Sequence, residues 1–382
     1  AIRQVKKAVG RNDCLYIHVT LVPFVTGAGE LKTKPTQHSV KELRSLGIQP
    51  DILICRSSKP IPQDMCEKMA MFCDVDADAV FQNLTARSIY EVPVLLEKQG
   101  LDEVVLRKLD VDATNHPLDM AEWHDMVERM LKDYDRKVTL GVVGKYVELQ
   151  DSYISLTEAL RHAAMANEAN LDIKWINAEL VEEGEIDLEA ELKDVDCILV
   201  PGGFGSKGLE GKISAIKYAR ENKVPFFGIC LGMQCAVVEY ARHIGMTGAN
   251  TTEANAETAY PVIDSLPDKA YVEEKGAMRL GLYPCKVAAG SLTEKAYGEA
   301  LIYERHRNRY EVNNAFREEL EKNGLVIAGA LPNGRLVEIV ELPTDVHPWF
   351  MGVQFHPELK SRPTNPHPLF RDFIAAALKE QK

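Results

Sequence analysis

Apolar and polar positions follow two different periods along the first part of the chain. Runs rich in β-branched and aromatic residues predict strands, and apolar residues three to four positions apart predict helices. The predicted strands are 14–22 and 51–55, and the predicted helices are 35–46, 62–72 and 88–98. Because strands that alternate with helices are typical of parallel sheets, residues 1–110 are predicted to form a parallel-sheet α/β domain.

The same alternation resumes after a polar stretch. Residues 111–137, with one amphipathic segment at 120–134, are predicted to be a linker, and residues 138–382 a second parallel-sheet α/β domain. Its predicted elements are strands at 138–143, 173–176, 198–200 and 226–229, a helix at 153–166, a hairpin with strands 325–331 and 336–342, and a closing helix from Leu369. Residues 249–276 follow neither period and are predicted to be an irregular insertion.

Composition and charge narrow the class of protein. Of the 382 residues, 46% are hydrophobic and 27% are charged, which is typical of globular domains, and the net charge of −12 argues against a nucleic-acid partner. The eight cysteines have no Cys-x-x-Cys spacing, which argues against a zinc site and a secreted disulfide framework, so we predict no metal site. Because no membrane-length apolar run and no signal peptide occur, we expect a cytoplasmic protein without a membrane partner.

The first chemically informative motif is Gly228-Ile229-Cys230-Leu231-Gly232. An apolar strand runs into Cys230, and helical spacing follows from Met233 to Ala241. A nucleophile on a sharp strand-to-helix turn needs small neighbours, and the first N–H groups of the helix point towards its sulfur. A lone buried cysteine is usually only a small hydrophobic residue, so this motif predicts catalysis only if it has partners.

Two further motifs follow other predicted strands. A strand leads into His356-Pro357-Glu358, which places a base and a carboxylate two residues apart on one face of an extended segment. Another strand leads into Pro201-Gly202-Gly203, whose N–H groups are suited to an oxyanion hole. Each motif alone is usually a strand end or a turn, but parallel α/β sheets collect their sites at this edge. Together the motifs predict a catalytic triad of Cys230, His356 and Glu358.

In this order, the three motifs of the second domain resemble the class I glutamine amidotransferase family. The resemblance implies a flavodoxin-like fold. It also implies that glutamine is hydrolysed through a γ-glutamyl thioester on Cys230, and that ammonia is released to a partner site.

The partner site is suggested by a segment at 29–40 that is rich in lysine and threonine and precedes a predicted helix. Its two lysines and the helix N–H groups suit an anion, although an exposed basic loop would have the same composition. The segments 32–43 and 47–51, together with 276–281 and 304–314, resemble the CTP synthase family, and the resemblance covers essentially the whole chain.

The second resemblance implies ATP-dependent amination of UTP to CTP with ammonia from glutamine. For the family it also implies ATP and Mg²⁺ as cofactors, CTP as feedback inhibitor and a homotetramer, and it leaves activation by GTP open. Glutamine and its oxyanion would be held by Gly203, Leu231, Gly232, Met233, Gln234, Glu253 and Arg307. UTP or CTP would be held by Lys32, Thr33, Lys34, Pro35, Thr36, Gln37 and Lys68.

The chain departs from the family pattern in three places. No G-x-x-x-x-G-K-[ST] motif occurs, so we expect the P-loop and the Mg-binding acids to precede Ala1 and this chain alone to retain only glutaminase activity. Residues 83–87 lack the Lys-Asp-Val that meets adenine in the family, which leaves the ATP contact open. The insertion at 249–276 is shorter than in relatives, which leaves open whether it covers the glutamine site.

Two alternatives remain at this point. A stand-alone glutaminase or γ-glutamyl hydrolase would need the triad but not the first domain. A non-catalytic nucleotide-sensing or assembly module would need the first domain but not an intact triad. Glutamine hydrolysis that is independent of UTP would favour the first alternative, and failure to form a thioester would favour the second.

Overall fold

The structure is a computed structural model that describes residues 1–10, 12–112, 114, 118–145, 147–265 and 278–381. It divides into two compact units, Ala1–Lys132 and Asp133–Lys382. The division falls inside residues 111–137, where a helix spans Ala121–Leu131 and a strand begins at Arg136. In the part of the chain that the structure describes, no helix has the length and apolar character needed to cross a membrane.

The first unit is built on a small parallel sheet. Its elements in chain order are α1 (Ile2–Val9), β1 (Ile17–Leu21), β2 (Phe24–Val25), β3 (Glu30–Leu31), α2 (Lys34–Ser45), β4 (Ile52–Ser57), α3 (Gln63–Cys73), β5 (Val80–Leu84), α4 (Glu91–Glu97), α5 (Leu101–Lys108) and α6 (Ala121–Leu131). Strands β1, β4 and β5 pair in parallel in that order, and β2 pairs with β3 as a hairpin. Strand β5 was not predicted because Gln82 and Asn83 interrupt its apolar residues. The Gln82 side-chain amide forms hydrogen bonds with the backbone of Ile61.

The second unit is larger. Its elements are β6 (Arg136–Gly144), α7 (Ile154–Ala166), β7 (Ala169–Asn177), α8 (Ala178–Glu182), α9 (Leu188–Leu192), β8 (Cys197–Val200), α10 (Leu209–Asn222), β9 (Phe226–Ile229), α11 (Leu231–His243), β10 (Asn250–Thr251), β11 (Pro261–Ser265), β12 (Arg279–Val287), α12 (Leu292–Tyr297), β13 (Leu301–Asn308), β14 (Tyr310–Val312), α13 (Asn314–Lys322), β15 (Val326–Ala330), β16 (Val337–Glu341), β17 (Phe350–Val353) and α14 (Pro368–Glu380).

A nine-stranded sheet organises this unit, in the order β13-β12-β15-β16-β17-β9-β8-β6-β7. The five strands from β17 to β7 are parallel, as predicted, and the other four extend the sheet in antiparallel fashion. The predicted hairpin is β15 and β16, in the antiparallel half. Helices α10 and α11 bury their apolar residues on one face of the sheet, and α7 and α14 on the other.

The predicted irregular insertion at 249–276 is wrong for its first part. Strands β10 and β11 lie within it and join β14 in a second, three-stranded sheet. Each of these strands is too short to show a period of two in the sequence, which explains the error. Residues 266–276 lie outside the described residues.

Helix α11, which carries the predicted nucleophile at its start, is fixed on the sheet. Every residue from Leu231 to Ala241 is buried. The Arg220 guanidinium on α10 donates through Nε and Nη2 to the Glu239 carboxylate on α11, with contacts of 2.8–3.1 Å. Because both side chains are largely buried, this forked pair holds the two helices in register.

Candidate active site

Cys230 occupies a strained turn between β9 and α11. Its φ of 52° and ψ of −103° lie in a region that residues with a side chain rarely adopt. The backbone N–H of Cys230 donates to the carbonyl O of Val353 at 2.7 Å, which ties the turn to β17. The predicted nucleophile elbow is therefore present, with the cysteine at the N-cap position of α11.

The two glycines of the elbow are needed because neighbouring backbone leaves no space for a side chain. A Cβ on Gly228 would lie 2.7 Å from the carbonyl carbon and oxygen of Gly232. A Cβ on Gly232 would lie 2.0 Å from the carbonyl O of Val200 on β8. The elbow thus packs backbone against backbone between two strands and the helix.

Gly232→Ala is expected to move the elbow and to destabilise the second unit by about 1–3 kcal/mol, the usual cost of overpacking. Glutamine hydrolysis should be lost in the same variant. Chemical denaturation and an assay of glutamate release would check both effects. Gly27→Ala is the matched control, because a Cβ on Gly27 meets no atom within 4 Å. A Gly232→Ala variant as stable and active as the control would contradict the packing argument.

His356 and Glu358 complete the triad. Nδ1 of His356 forms a hydrogen bond of 2.7 Å with Oε1 of Glu358. Since Glu358 occupies Nδ1, Nε2 is the ring nitrogen left to exchange a proton with Cys230. The two residues were predicted to share a face of an extended segment, and this is wrong: Pro357–Leu359 form a 3₁₀ turn, which brings the carboxylate back to the ring.

The charge state of His356 follows from its neighbours. Burial lowers the pKa of the imidazole, but the Cys230 sulfur and the Glu358 carboxylate outweigh this and raise the pKa to about 10. The ring therefore carries its proton at neutral pH.

The turn after β8 lies against both members of the Cys–His pair. A Cβ on Gly202 would lie 2.9 Å from Cε1 of His356 and 3.4 Å from Cβ of Cys230. Gly203 follows and is packed against Leu231, the first residue of α11. The predicted oxyanion glycine is thus next to the nucleophile, with Gly202 as a second glycine that the approach of the ring requires.

These residues surround a cavity of about 480 Å³, a size that suits a small ligand. It is lined by Ser152, Tyr153, Ile154, Ser155, Leu156, Pro201, Gly202, Gly203, Phe204, Ile229, Cys230, Arg307, His356, Glu358 and Leu359. The triad, the glycine turn and one of the predicted glutamine-binding residues therefore share one opening.

Four of the other predicted glutamine-binding residues lie together at the start of α11. Leu231, Gly232, Met233 and Gln234 form the buried first turn of α11. The Gln234 amide does not face the cavity, because its Nε2 donates to the carbonyl O of Tyr310 at 3.0 Å and to Oε1 of Gln354 at 3.1 Å. A ligand would therefore meet this turn through backbone groups, not through the Gln234 side chain.

Glu253 and Arg307 come from different parts of the unit. Glu253 follows β10, and its Oε1 accepts a 3.1 Å hydrogen bond from the N–H of Gly205. Arg307 is at the end of β13, with its guanidinium carbon 5.6 Å from the ring centre of Phe204. Both side chains thus contact the loop that follows Gly203. Arg307 lines the cavity, and Glu253 supports the loop.

The predicted nucleotide segment of the first unit surrounds the start of α2. Thr33 is the N-cap residue, and Lys34 and Pro35 open the helix. Lys32 pairs with Glu30, the Thr36 hydroxyl donates to the Leu21 carbonyl O at 3.0 Å, and Gln37 Nε2 donates to Thr33 Oγ1 at 3.3 Å. Lys68 lies exposed on α3, and no described hydrogen bond or ion pair joins it to the segment.

Two other buried cysteines lie on elements next to the elbow, Cys235 on α11 and Cys197 on β8. Complete burial raises the pKa of the Cys235 thiol to about 12. Burial also raises the pKa of Cys197 on β8 well above its usual range. Because nucleophilicity requires the thiolate, neither residue competes with Cys230 at neutral pH.

Sequence reasoning missed two residues beside the nucleophile. Gly202 was predicted only as part of the turn that supplies oxyanion N–H groups, and not as the position that the His356 ring approaches. Gln354 was not singled out, although it stands two positions before His356. Its Nε2 lies 3.6 Å from Sγ of Cys230.

Comparison with known families assigns the two parts of the chain to two different families. The family described as "Glutamine amidotransferase class-I" matches residues 148–376, and the family described as "CTP synthase N-terminus" matches residues 1–111. The prediction that the chain lacks the amino-terminal P-loop part is not borne out, because the second match begins at residue 1. The expectation that this chain alone retains only glutaminase activity stays a prediction.

Individual relatives agree with the family matches. The CTP synthase of Clostridium kluyveri is 56% identical over 100% of this chain and 70% of its own length. The CTP synthase of Pelotomaculum thermopropionicum is 57% identical over 99% of this chain and 70% of its own length. Among solved structures, the glutaminase domain of Trypanosoma brucei CTPS with bound acivicin is 36% identical, with a TM-score of 0.59 over 64% of this chain and 95% of that one. The chain therefore belongs to the CTP synthase family of glutamine-hydrolysing ligases.

Proposed function

We propose that Cys230, His356 and Glu358 hydrolyse glutamine and that the ammonia aminates UTP to CTP in an ATP-dependent reaction. The observation that carries the glutaminase part is the alignment of the three side chains. The Glu358 carboxylate holds Nδ1 of His356 at 2.7 Å, and the ring packs beside Cys230 at the opening of a 480 Å³ cavity. Nucleophile, base and orienter are thus in the order that acyl transfer requires.

The first half-reaction forms a thioester. The Cys230 thiolate attacks the side-chain carbonyl carbon of glutamine, and the carbonyl electrons move to oxygen. The resulting oxyanion lies near the N–H groups of Gly203 and Leu231, which donate to no protein acceptor among the described residues. The proton on His356 then passes to the amide nitrogen, so that ammonia leaves and a γ-glutamyl thioester remains.

The second half-reaction restores the enzyme. Neutral His356 takes a proton from water, the hydroxide attacks the thioester carbon, and the C–S bond breaks to release glutamate. The sulfur leaves as thiolate beside a ring that is again protonated. Glu358 accepts from the same ring nitrogen throughout, so the tautomer of His356 does not change.

The α-amino and α-carboxylate groups of glutamine require groups of opposite charge. We infer that Arg307, which lines the cavity, receives the carboxylate. Glu253 accepts from the N–H of Gly205 in the loop beside the cavity, and we propose it for the ammonium group. Both contacts are charge-assisted, and each is strong only where water is excluded.

Arg307→Ala is expected to raise KM for glutamine about tenfold or more with a smaller change in kcat, because the lost contact is present before and during the reaction. Steady-state kinetics of glutamate release would measure the two constants separately. The matched control is Arg309→Ala, which removes a neighbouring cation. An unchanged KM in Arg307→Ala would show that Arg305 or Arg309 binds the carboxylate.

For UTP, we propose the segment Lys32 to Gln37 with Lys68. The amino end of α2 offers backbone N–H groups that no side chain caps, and Lys34 adds a positive charge in the first turn. Thr36 is tied to Leu21, so its hydroxyl acts on the shape of the segment and not directly on an anion. The nucleotide phosphates would therefore meet Lys34 and the helix N–H groups first.

CTP synthases use ATP and Mg²⁺. Across the described ranges, no group of three or more His, Cys, Asp or Glu side chains is arranged to hold a metal ion. We assign no step to Mg²⁺. Activation by GTP, inhibition by CTP, tetramer formation and a cytoplasmic location stay predictions.

The proposal is tested by glutamate release with UTP and ATP present or withheld. We expect hydrolysis of glutamine that rises when both nucleotides are added, because the proposed function couples the glutaminase to the site that uses its ammonia. Asparagine, one methylene shorter, is the control substrate and should not be hydrolysed, since its carbonyl would not reach Cys230. A rate of glutamate release that does not change when the nucleotides are added would favour a stand-alone glutaminase. No release of glutamate under either condition would favour a non-catalytic module.

A further inference from the structure

Gln354 contacts the nucleophile directly. It is completely buried at the end of β17, and its Nε2 lies 3.6 Å from Sγ of Cys230, within hydrogen-bonding distance for sulfur. Its backbone N–H donates to the carbonyl O of Glu338 at 2.8 Å, which fixes the main chain. The other described polar atom near Sγ outside the triad is the carbonyl O of Arg307, at 3.9 Å.

The direction of the Gln354 amide is set by a chain of hydrogen bonds. The backbone carbonyl O of Tyr310 can only accept, so the group of Gln234 that lies 3.0 Å from it is its NH₂. The same NH₂ lies 3.1 Å from the Gln354 amide and therefore faces its oxygen. That leaves the NH₂ of Gln354 towards Sγ, and a flipped amide would place two donors against each other.

We propose that Gln354 is a catalytic residue that donates a hydrogen bond to the Cys230 sulfur, and that Gln234 is a positioning residue that fixes its amide. This rests on the proposed glutaminase function. An N–H bond to sulfur is strongest when the sulfur is anionic, because donors bind charged acceptors more tightly than neutral ones. Gln354 thus stabilises the thiolate through a contact separate from proton exchange with His356.

The contact has a different effect in each half-reaction. Sulfur is anionic before attack and again when the thioester breaks, but it is neutral within the thioester. The donor at Gln354 therefore increases the fraction of reactive thiolate and assists its departure from the acyl-enzyme. We expect loss of the donor to slow breakdown of the thioester, so that the acyl-enzyme accumulates during turnover.

The test uses iodoacetamide on the full chain, with the adduct on Cys230 quantified by mass spectrometry between pH 5 and 10. Alkylation reports thiolate without requiring glutamine turnover. Gln354→Met removes donor and acceptor. Gln354→Glu keeps the acceptor for Gln234 and removes the donor, but it also adds a negative charge that disfavours a nearby thiolate. In both, the rate at pH 7 should fall about tenfold and the midpoint of the profile should move to higher pH. His356, Glu358 and Arg307, the titratable and charged groups around Sγ, are unchanged in these variants.

Gln234→Met keeps Gln354 but frees its amide to rotate. It should give a smaller shift of the same profile, which a purely structural role of Gln234 would not produce. Gln63→Met, an exposed glutamine on α3, is the control and should match the wild type. If Gln354→Met does not fold, Gln234→Met decides the question, because a shift in Gln354→Glu would also follow from its added negative charge.

An unchanged alkylation profile in folded Gln354→Met or Gln354→Glu would overturn the inference. The result is separable from the proposed function. A wild type that releases no glutamate while its Cys230 profile still shifts in the variants would refute the glutaminase and leave the contact. A wild type that hydrolyses glutamine, with no shift of the alkylation profile in the variants, would support the glutaminase and refute the contact.

Discussion

Glutamine hydrolysis is expected to fall by about 10⁴-fold or more when Cys230 is replaced by alanine, and nearly as far when it is replaced by serine. Alanine removes the atom that forms the thioester, and serine supplies a hydroxyl that His356 must first deprotonate. The fold should persist, because the side chain is small and the strained backbone of the elbow is held by the Val353 carbonyl O and not by the sulfur. Glutamate release and a thermal melt would measure the two outcomes.

The control for this experiment is Cys235→Ala. Cys235 lies on the same helix, but burial raises its pKa to about 12, so it has no role as a nucleophile. It should retain activity apart from a modest loss of stability from the cavity. Substantial hydrolysis by folded Cys230→Ala would show that another residue attacks glutamine.

The second large effect separates the base from its orienter. His356→Ala should reduce kcat by about 10⁶-fold and Glu358→Gln by about 10⁴-fold, as orders of magnitude taken from serine triads. His356 moves a proton in both half-reactions, whereas Glu358 holds the ring through the 2.7 Å bond to Nδ1. In Glu358→Gln the ring keeps its place but loses the negative charge that stabilises its protonated form.

Single-turnover kinetics of acylation and deacylation would measure both variants. Lys360→Gln is a suitable control, since its ammonium donates to the Tyr303 carbonyl O and to Oε1 of Glu304 and not to the triad, although loss of the buried Glu304 contact should lower stability. A Glu358→Gln variant that is less active than His356→Ala would show that the two roles are assigned the wrong way round.

The meeting of Cys230, His356 and the glycine turn was predictable because each follows a buried strand. The apolar runs before Pro201 and Cys230 are short and uninterrupted, the run before His356 contains one polar residue, Gln354, and the three strands are parallel neighbours in the sheet. Their carboxyl ends therefore had to meet at one edge. The glycines beside Cys230 were also informative in the sequence. Gly232 can lie against the carbonyl O of Val200 only because it has no side chain.

Other parts of the site depend on contacts that sequence spacing does not encode. Gln234 was read as a ligand for glutamine, but the Tyr310 carbonyl O and Gln354 take its amide. Both partners are distant in sequence. The approach of Glu358 to His356 depends on the 3₁₀ turn at Pro357, which an extended reading excluded. Within the antiparallel half, the hairpin of β15 and β16 was predicted, but β12 and β13 were missed, because every second residue of the edge strand β13 is exposed and these include Arg305 and Arg307.

The central claim is that glutamine is hydrolysed at Cys230, and diazo-oxo-norleucine tests it most directly, because this glutamine analogue alkylates the residue that attacks its substrate. The wild-type chain would be treated at neutral pH, digested and mapped by mass spectrometry across its eight cysteines. We expect one adduct, on the peptide that contains Cys230, with protection by glutamine and with loss of glutamate release in proportion to labelling. An adduct on Cys235 or Cys197 instead, or inactivation without label on Cys230, would contradict the account.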